Sequence, residues 1–409
     1  KKAITLKIAL FISLVGFLRK IFCWEQRKLG DIAKIVGGGT PSTKNSQYWN
    51  GNINWYSPTE IGKNAFVNES KKKITKAGLQ HSSAKLLPKN KTILFTSRAN
   101  IGDLAIMTSD GATNQGFQSW VIDQLKIDIY FLYSLGNILK NQAIKLAYGS
   151  TFLEISNKNV KNLQLKIPNI QEQKKIGSLF KIIDELLTLQ ERKYKELKLL
   201  KKALLQNMFA NKTAYPKLRF NGFNSKWKSY KLKEIGKIVT GNTPPTKDLN
   251  NYSDHGMLWV TPTDITGPII RNTVKRLSPI GITKARTAKE GSILVTCIAS
   301  IGKNALTETR CGFNQQINAV IPNQYNDSYF LLIQSKFWSK KAKQIAAKGT
   351  IKIVNKKDFS NLSFLYPKLK EQKNMSSFFK LLDMVTTFQM KNLIELKKIK
   401  HFLLQNMFI

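Results

Sequence analysis

The chain ends by repeating its own middle. Residues 172–209 and 371–408 align without a gap at a constant offset of 199, and 19 of the 38 positions are identical. A repeat of this kind fixes architecture before any other signal. Neither copy contains proline, and the first has one glycine, Gly177. Apolar residues recur at spacings of three and four, the pattern of an amphipathic helix. In a heptad frame the a positions are Ile176, Ile183, Gln190, Leu197 and Leu204, then Met375, Leu382, Gln389, Leu396 and Leu403. The d positions are Phe180, Leu187, Tyr194, Lys201 and Met208, then Phe379, Thr386, Leu393, Lys400 and Met407. The spacing predicts two helices of roughly 57 Å each. Such stripes require a partner helix, and an antiparallel coiled coil about a pseudo-two-fold satisfies both. In that arrangement Gln190 and Gln389 meet near the crossing and set the register; the alternative is a tolerated surface glutamine.

The length of 409 residues predicts two or three domains. The net charge is +41. The two helical copies carry +4 and +3 of it, which leaves +34 for the remainder. Basic lobes between nearly balanced helices point to a polyanionic partner, nucleic acid or an anionic membrane. The three cysteines, Cys23, Cys297 and Cys311, form no Cys-x-x-Cys pair. That usage suits a reducing compartment, here the cytoplasm, and not a disulfide framework or a zinc site.

Outside the helices the repeat continues. Residues 24–44 match 227–247, 54–61 match 258–265, and 93–106 match 293–306; Asn114-Gln115 matches Asn314-Gln315. The chain therefore divides into a divergent start (1–22), a lobe (23–168), a helix (169–210), a second lobe (211–367) and a second helix (368–409). Short apolar runs broken by Gly, Pro and Asn read as strands, including 93–96, 293–296 and 319–322. Residues 127–147 and 328–347 read as helices. The fold class is α+β, with two pseudo-repeated mixed lobes separated by two long helices. Residues 1–22 begin basic and carry an apolar run from Ile8 to Leu18, too short to span a bilayer, which needs about 20 residues. No small-residue cleavage site follows it, so an aberrant start is the expectation and a signal or anchor the alternative.

Motifs for catalysis are missing from the sequence. There is no phosphate loop, and Gly37-Gly38-Gly39 lacks dinucleotide spacing. His81, His255 and His401 are scattered without metal-ligand spacing. Binding residues are better represented. Thr40, Thr43 and Lys44, and their repeats Thr243, Thr246 and Lys247, place hydroxyls and a lysine on a proline-stiffened turn suited to phosphate oxygens. The competing reading is a capped turn with a solvated lysine. Arg98 follows a strand, where its fork suits guanine; the competing reading is a surface ion pair. If the lobes read different bases, base readers belong where the copies diverge. Those stretches hold Lys71, Lys72 and Lys73 in the first lobe and Arg271, Lys275, Arg276 and Arg286 in the second. A charge run is more often a solvated face, but the excess of positive charge outside the helices favours DNA contact.

Two further features complete the pattern. Each lobe begins Trp-x₄-Leu-x₂-Ile-x₂-Ile-x₂-Gly-x-Thr-Pro, from Trp24 and from Trp227, and ends with Pro-x₃-Glu-Gln ahead of a helix closing Leu-Leu-Gln-Asn-Met-Phe. In this doubled order the chain resembles the specificity subunits of type I restriction–modification enzymes over residues 24–409. The resemblance implies two target-recognition domains, each reading half of a split site in double-stranded DNA, spaced by the antiparallel helices. It implies methyltransferase subunits docked on the helices, restriction subunits joining that core, and no catalysis by this subunit. S-adenosylmethionine, ATP and Mg²⁺ belong to the partners, and no cofactor to this chain. The departure is the start, where residues 1–22 lack the Pro-Lys-Leu-Arg-Phe lead-in present at Pro216–Phe220. An orphan DNA-binding scaffold and a basic membrane-surface protein are the competing readings.

Overall fold

The computed structural model describes residues 24–98, 100–149, 153–210, 213–347 and 353–408. Residues 1–22, Cys23 and part of the linker 210–215 lie outside these. The chain divides into two compact units. One holds the first lobe through Arg192 together with the chain from Lys391; the other holds Lys193–Met390. Each unit thus contains one lobe and part of each long helix.

In the first unit a five-stranded sheet runs in the order Ala33–Gly37, Gln118–Ile122, Thr92–Phe95, Leu104–Met107, Phe66–Val67. Its pairs are antiparallel except the last. A three-stranded sheet orders Lys72–Ile74, Trp49–Tyr56 and Gly111–Thr113. Glu25–Lys28 pairs with Gln164–Ile167. The strand Thr92–Phe95 is buried throughout, because both faces of the sheet are covered: Ile93 and Phe95 enter one core and Leu94 another. That is why the run is continuously apolar and does not alternate. Helices Ile129–Ser134 and Gly136–Leu146 cover the first face, where the sequence reading has one helix.

The second unit repeats this plan. Its five strands are Gly236–Thr240, Ile317–Pro322, Ile293–Thr296, Asn304–Thr307 and Ile269–Ile270. Its smaller sheet gains a fourth strand, Thr287–Ala288. A single helix, Ser328–Ala346, replaces the pair of helices.

The long helices are Ile170–Met208 and Leu369–Met407, 39 residues each. Both are joined to their lobes by the glutamine of the Glu-Gln pair after the proline. Gln173 accepts from the Asp128 amide at 2.9 Å and donates to the Pro168 carbonyl at 2.8 Å. Gln372 does the same with Asp327 at 2.9 Å and Pro367 at 3.0 Å. A Cβ at Gly177 would lie 2.2 Å from Asp128 Oδ1, so the glycine lets that carboxylate approach the helix; at the equivalent position of the second copy the Ser376 hydroxyl donates to Asp327 Oδ1.

Within each unit the helix segments run antiparallel. In the first, Asp184 pairs with Lys400 and Glu191 with Lys397 at 2.7 Å. In the second, Lys201 pairs with Asp383, and the Tyr194 hydroxyl meets Met390 Sδ at 3.7 Å. Ile176, Phe180, Ile183 and Leu403 are buried in one core, with Leu187 and Leu396 half-buried against it. Met375, Phe379 and Leu382 are buried in the other, with Leu197 and Leu204 against it. Gln190, Gln389 and Leu393 are half-buried.

The two lysines at d positions are explained by a third partner. Tyr130 donates to Asp184 Oδ2 at 2.9 Å and Tyr329 to Asp383 Oδ2 at 2.8 Å. One carboxylate therefore ties both helices to the lobe in each unit. Burial, reinforced by the aspartate, pushes both phenols up. We predict that Asp184→Ala or Asp383→Ala, which leaves a lysine and a tyrosine unpaired, costs on the order of 3 kcal/mol. Urea denaturation of each variant measures this; a loss under about 0.5 kcal/mol, the scale of a surface change, would show the carboxylate to be incidental.

Candidate nucleic-acid interface

Two motifs that are separate in sequence form one turn in each lobe. Thr40 donates to Gln115 Oε1, and Thr243 donates to Gln315 Oε1 at 2.6 Å. Backbone bonds reinforce the contact, from the Gly39 amide to Thr113 at 2.8 Å and from Asn242 to Phe313 at 3.0 Å. The approach requires glycine before the threonine. A Cβ at Gly38 would lie 1.9 Å from the Asn114 carbonyl, and one at Gly241 2.2 Å from that of Asn314.

An aromatic residue and a lysine extend each turn. The Trp49 indole donates to the Ser42 carbonyl at 3.1 Å, and Lys72 lies over the Trp49 ring at 5.5 Å. In the second lobe the Tyr252 hydroxyl donates to the Pro244 carbonyl at 2.8 Å, and Lys275 lies over the Tyr252 ring at 5.5 Å. Thr43, Lys44, Thr246 and Lys247 are exposed on the same turns. The stacked ammonium groups are held extended from the strand, at a modest gain of about 0.5–1 kcal/mol. Lys72 and Lys275 are repeat-related, although they fall in stretches whose sequences diverge.

Sequence reasoning overlooks the brace behind these lysines. Glu60 caps its own turn through the Ser57 amide at 2.8 Å and accepts from the Lys71 amide at 2.6 Å. Asp264 repeats this with the Thr261 amide at 2.8 Å and the Val274 amide at 2.9 Å. The signal for it is the acid shared by 54–61 and 258–265. Lys71 is exposed, and Lys73 lies 4.0 Å from Glu69. Arg276 donates to the Gly256 carbonyl at 3.2 Å and to Asn272 at 2.7 Å. Arg286 donates to the Thr240 carbonyl at 3.0 Å and so supports the second turn.

The remaining two arginines stand apart from the turns. Arg98 pairs with Glu154 at 2.8 Å, and Arg271 lies 3.6 Å from Glu308. The ion pair weighed for Arg98 against base reading is thus present. Cys297 and Cys311 are buried free thiols, pushed up by burial to about 11 and about 12. Among the described residues no group of three or more His, Cys, Asp or Glu is placed to hold a metal ion. No described helix is long and apolar enough to cross a membrane.

A lobe of this kind, repeated and joined to a long helix each time, matches one family model. The type I restriction modification DNA specificity domain matches residues 23–199 and again 224–398. The chain belongs to that family. It is 28% identical over 237 residues to the type I restriction enzyme MjaIX specificity subunit of Methanocaldococcus jannaschii, covering 55% of this chain and 54% of that one. The EcoR124I/EcoR124II specificity subunit of Escherichia coli is 31% identical over 169 residues, 40% of this chain and 41% of the relative. The chain thus spans about half or less of the length of these two relatives. The putative MjaX specificity subunit of M. jannaschii is 22% identical over 92% of this chain and 91% of its own. The crystal structure of a type I restriction–modification S subunit from M. genitalium shares the fold, with a TM-score of 0.66 at 17% identity over 96% of this chain and 98% of that one.

Replacing either turn threonine with valine keeps its shape and removes the hydroxyl donor. Thr40→Val and Thr243→Val should each cost about 1 kcal/mol. Denaturation of both variants checks this, and unchanged stability in both would show that the turn does not depend on the contact.

Proposed function

We propose that the chain is the DNA-reading specificity subunit of a type I restriction–modification complex. Each lobe reads one half of a bipartite duplex site, and the helices set the separation of the halves. The observation that carries this is the turn, aromatic ring and lysine built twice, once per lobe, from repeat-related residues. Exposed hydroxyls and ammonium groups on a stiff turn suit phosphate contact, which fixes orientation on the duplex. Arg98 and Arg271 differ between the lobes; lobe-specific base contact by either requires its exchange of Glu154 or Glu308 for a base edge on docking. The net charge of +41 supplies the attraction.

The helices support docking of methyltransferase subunits. Ile182, Leu186 and Leu189 are exposed on the first, and Leu381, Val385 and Phe388 on the second. The spacing of four and three puts each trio on one helical face. The offset of 199 makes the two trios equivalent, so two copies of one partner have equivalent seats. Exposed apolar stripes of this kind mark association surfaces. The chain itself reads the duplex without altering it; S-adenosylmethionine, ATP and Mg²⁺ are used by the methyltransferase and restriction subunits. The complex works in the cytoplasm.

Co-expression with the methyltransferase subunit of a type I system tests both parts. Leu186→Asp with Val385→Asp should abolish co-purification, whereas Lys72→Ala and Lys275→Ala should retain it. Each lysine variant should weaken DNA binding uniformly across sequences and lower the salt slope by about 1. Retained co-purification of the aspartate variant would remove the docking role. A lysine variant with an unchanged salt slope would remove the phosphate contact.

A further inference from the structure

The second unit closes its edge with an arginine seated on a buried carboxylate. Arg219 donates to Glu371 through Nε at 2.8 Å and Nη2 at 2.7 Å, and its Nη2 also reaches the Ser225 carbonyl at 2.8 Å. The two side chains are 12% and 2% exposed. The Trp227 indole donates to the same carboxylate at 3.3 Å. Phe220, next to the arginine, packs edge-on against Phe378 at 5.7 Å. This is the two-pronged geometry that a guanidinium makes and an ammonium does not.

The first unit repeats the frame. Glu172 occupies the position of Glu371 at the offset of 199. Trp24 packs on Phe131 at 5.9 Å and Phe408 at 6.2 Å, as Trp227 packs on Phe330 at 6.3 Å and Phe209 at 6.2 Å. Leu179, at the position of Phe378, packs against the same core. Among the described residues, however, nothing donates to the buried Oε2 of Glu172. A buried carboxylate oxygen without a donor is costly.

We propose that Glu172 is a receptor for an arginine carried on a Leu-Arg-Phe segment, chemically the same as Leu218-Arg219-Phe220. The guanidinium seats on the carboxylate beside Trp24, and the flanking phenylalanine covers Leu179. The segment completes the edge of the first unit; this does not depend on what the lobe binds.

The test grafts the segment in the full-length chain. Residues 10–23 are replaced by a copy of 213–226, which places the copied arginine at the same distance before Trp24 as Arg219 stands before Trp227. The thermal midpoint should fall by roughly 5 °C when the copied arginine is changed to methionine. That drop should vanish when Glu172→Gln is also present. No drop, or a drop of the same size with Glu172→Gln, would overturn the assignment. A second measurement stands if the graft misfolds. A fluorescent peptide of residues 213–226 should bind the unaltered full-length chain and bind Glu172→Gln at least about tenfold more weakly. Absent binding, or equal binding to both, would overturn it as well.

Discussion

One aspartate in each unit holds three elements in place. Asp184 takes Lys400 from the opposite helix and Tyr130 from the lobe; Asp383 takes Lys201 and Tyr329. The apolar seam of each helix pair is interrupted by a lysine, and this carboxylate pairs with it. The same contact sets which turn of one helix faces which turn of the other. Because the tyrosine comes from the lobe, the register of the helices and the seating of the lobe are settled by one group. The glutamines at the helix starts, Gln173 and Gln372, make a second fixed joint five residues after the prolines.

On that foundation each lobe presents the same device. A glycine admits the turn, a threonine locks it to a glutamine, and an aromatic ring carries a lysine beside it. The shared acids, Glu60 and Asp264, cap their own turns and brace the start of the strand that carries the lysines. The conserved chemistry of the repeat is thus positional. What differs between the lobes, Arg98 against Ile298 or Arg271 against Asn68-Glu69 in the neighbourhood of the same strand, is where sequence preference has room to differ.

The long helices and the doubly covered strands were legible because period and run length are local properties. Residues 293–296 read as a strand and 328–347 as a helix from their own composition. The joining of Thr40 to Gln115 was not legible, since 75 residues separate them; the only hint was that both motifs recur in the second half. Lys72 and Lys275 looked lobe-specific because the residues around them differ, while the strand register that makes them equivalent is a property of pairing. Lys201 and Lys400 stand at d positions of the two stripes. Their partners Asp184 and Asp383 were visible as identical positions in the two helices, but the antiparallel pairing expected from the sequence does not by itself set the register that brings Asp184 to Lys400 and Asp383 to Lys201.

In the proposed function two like heads, spaced by the helix pair, read two half-sites. Insertion of one helical turn, four residues, into both helices at matching points tests it most directly, with the chain co-expressed beside its methyltransferase and the methylated sites mapped across the genome. Both half-site sequences should persist while the gap between them changes in length. An unchanged gap with unchanged half-sites would contradict that function.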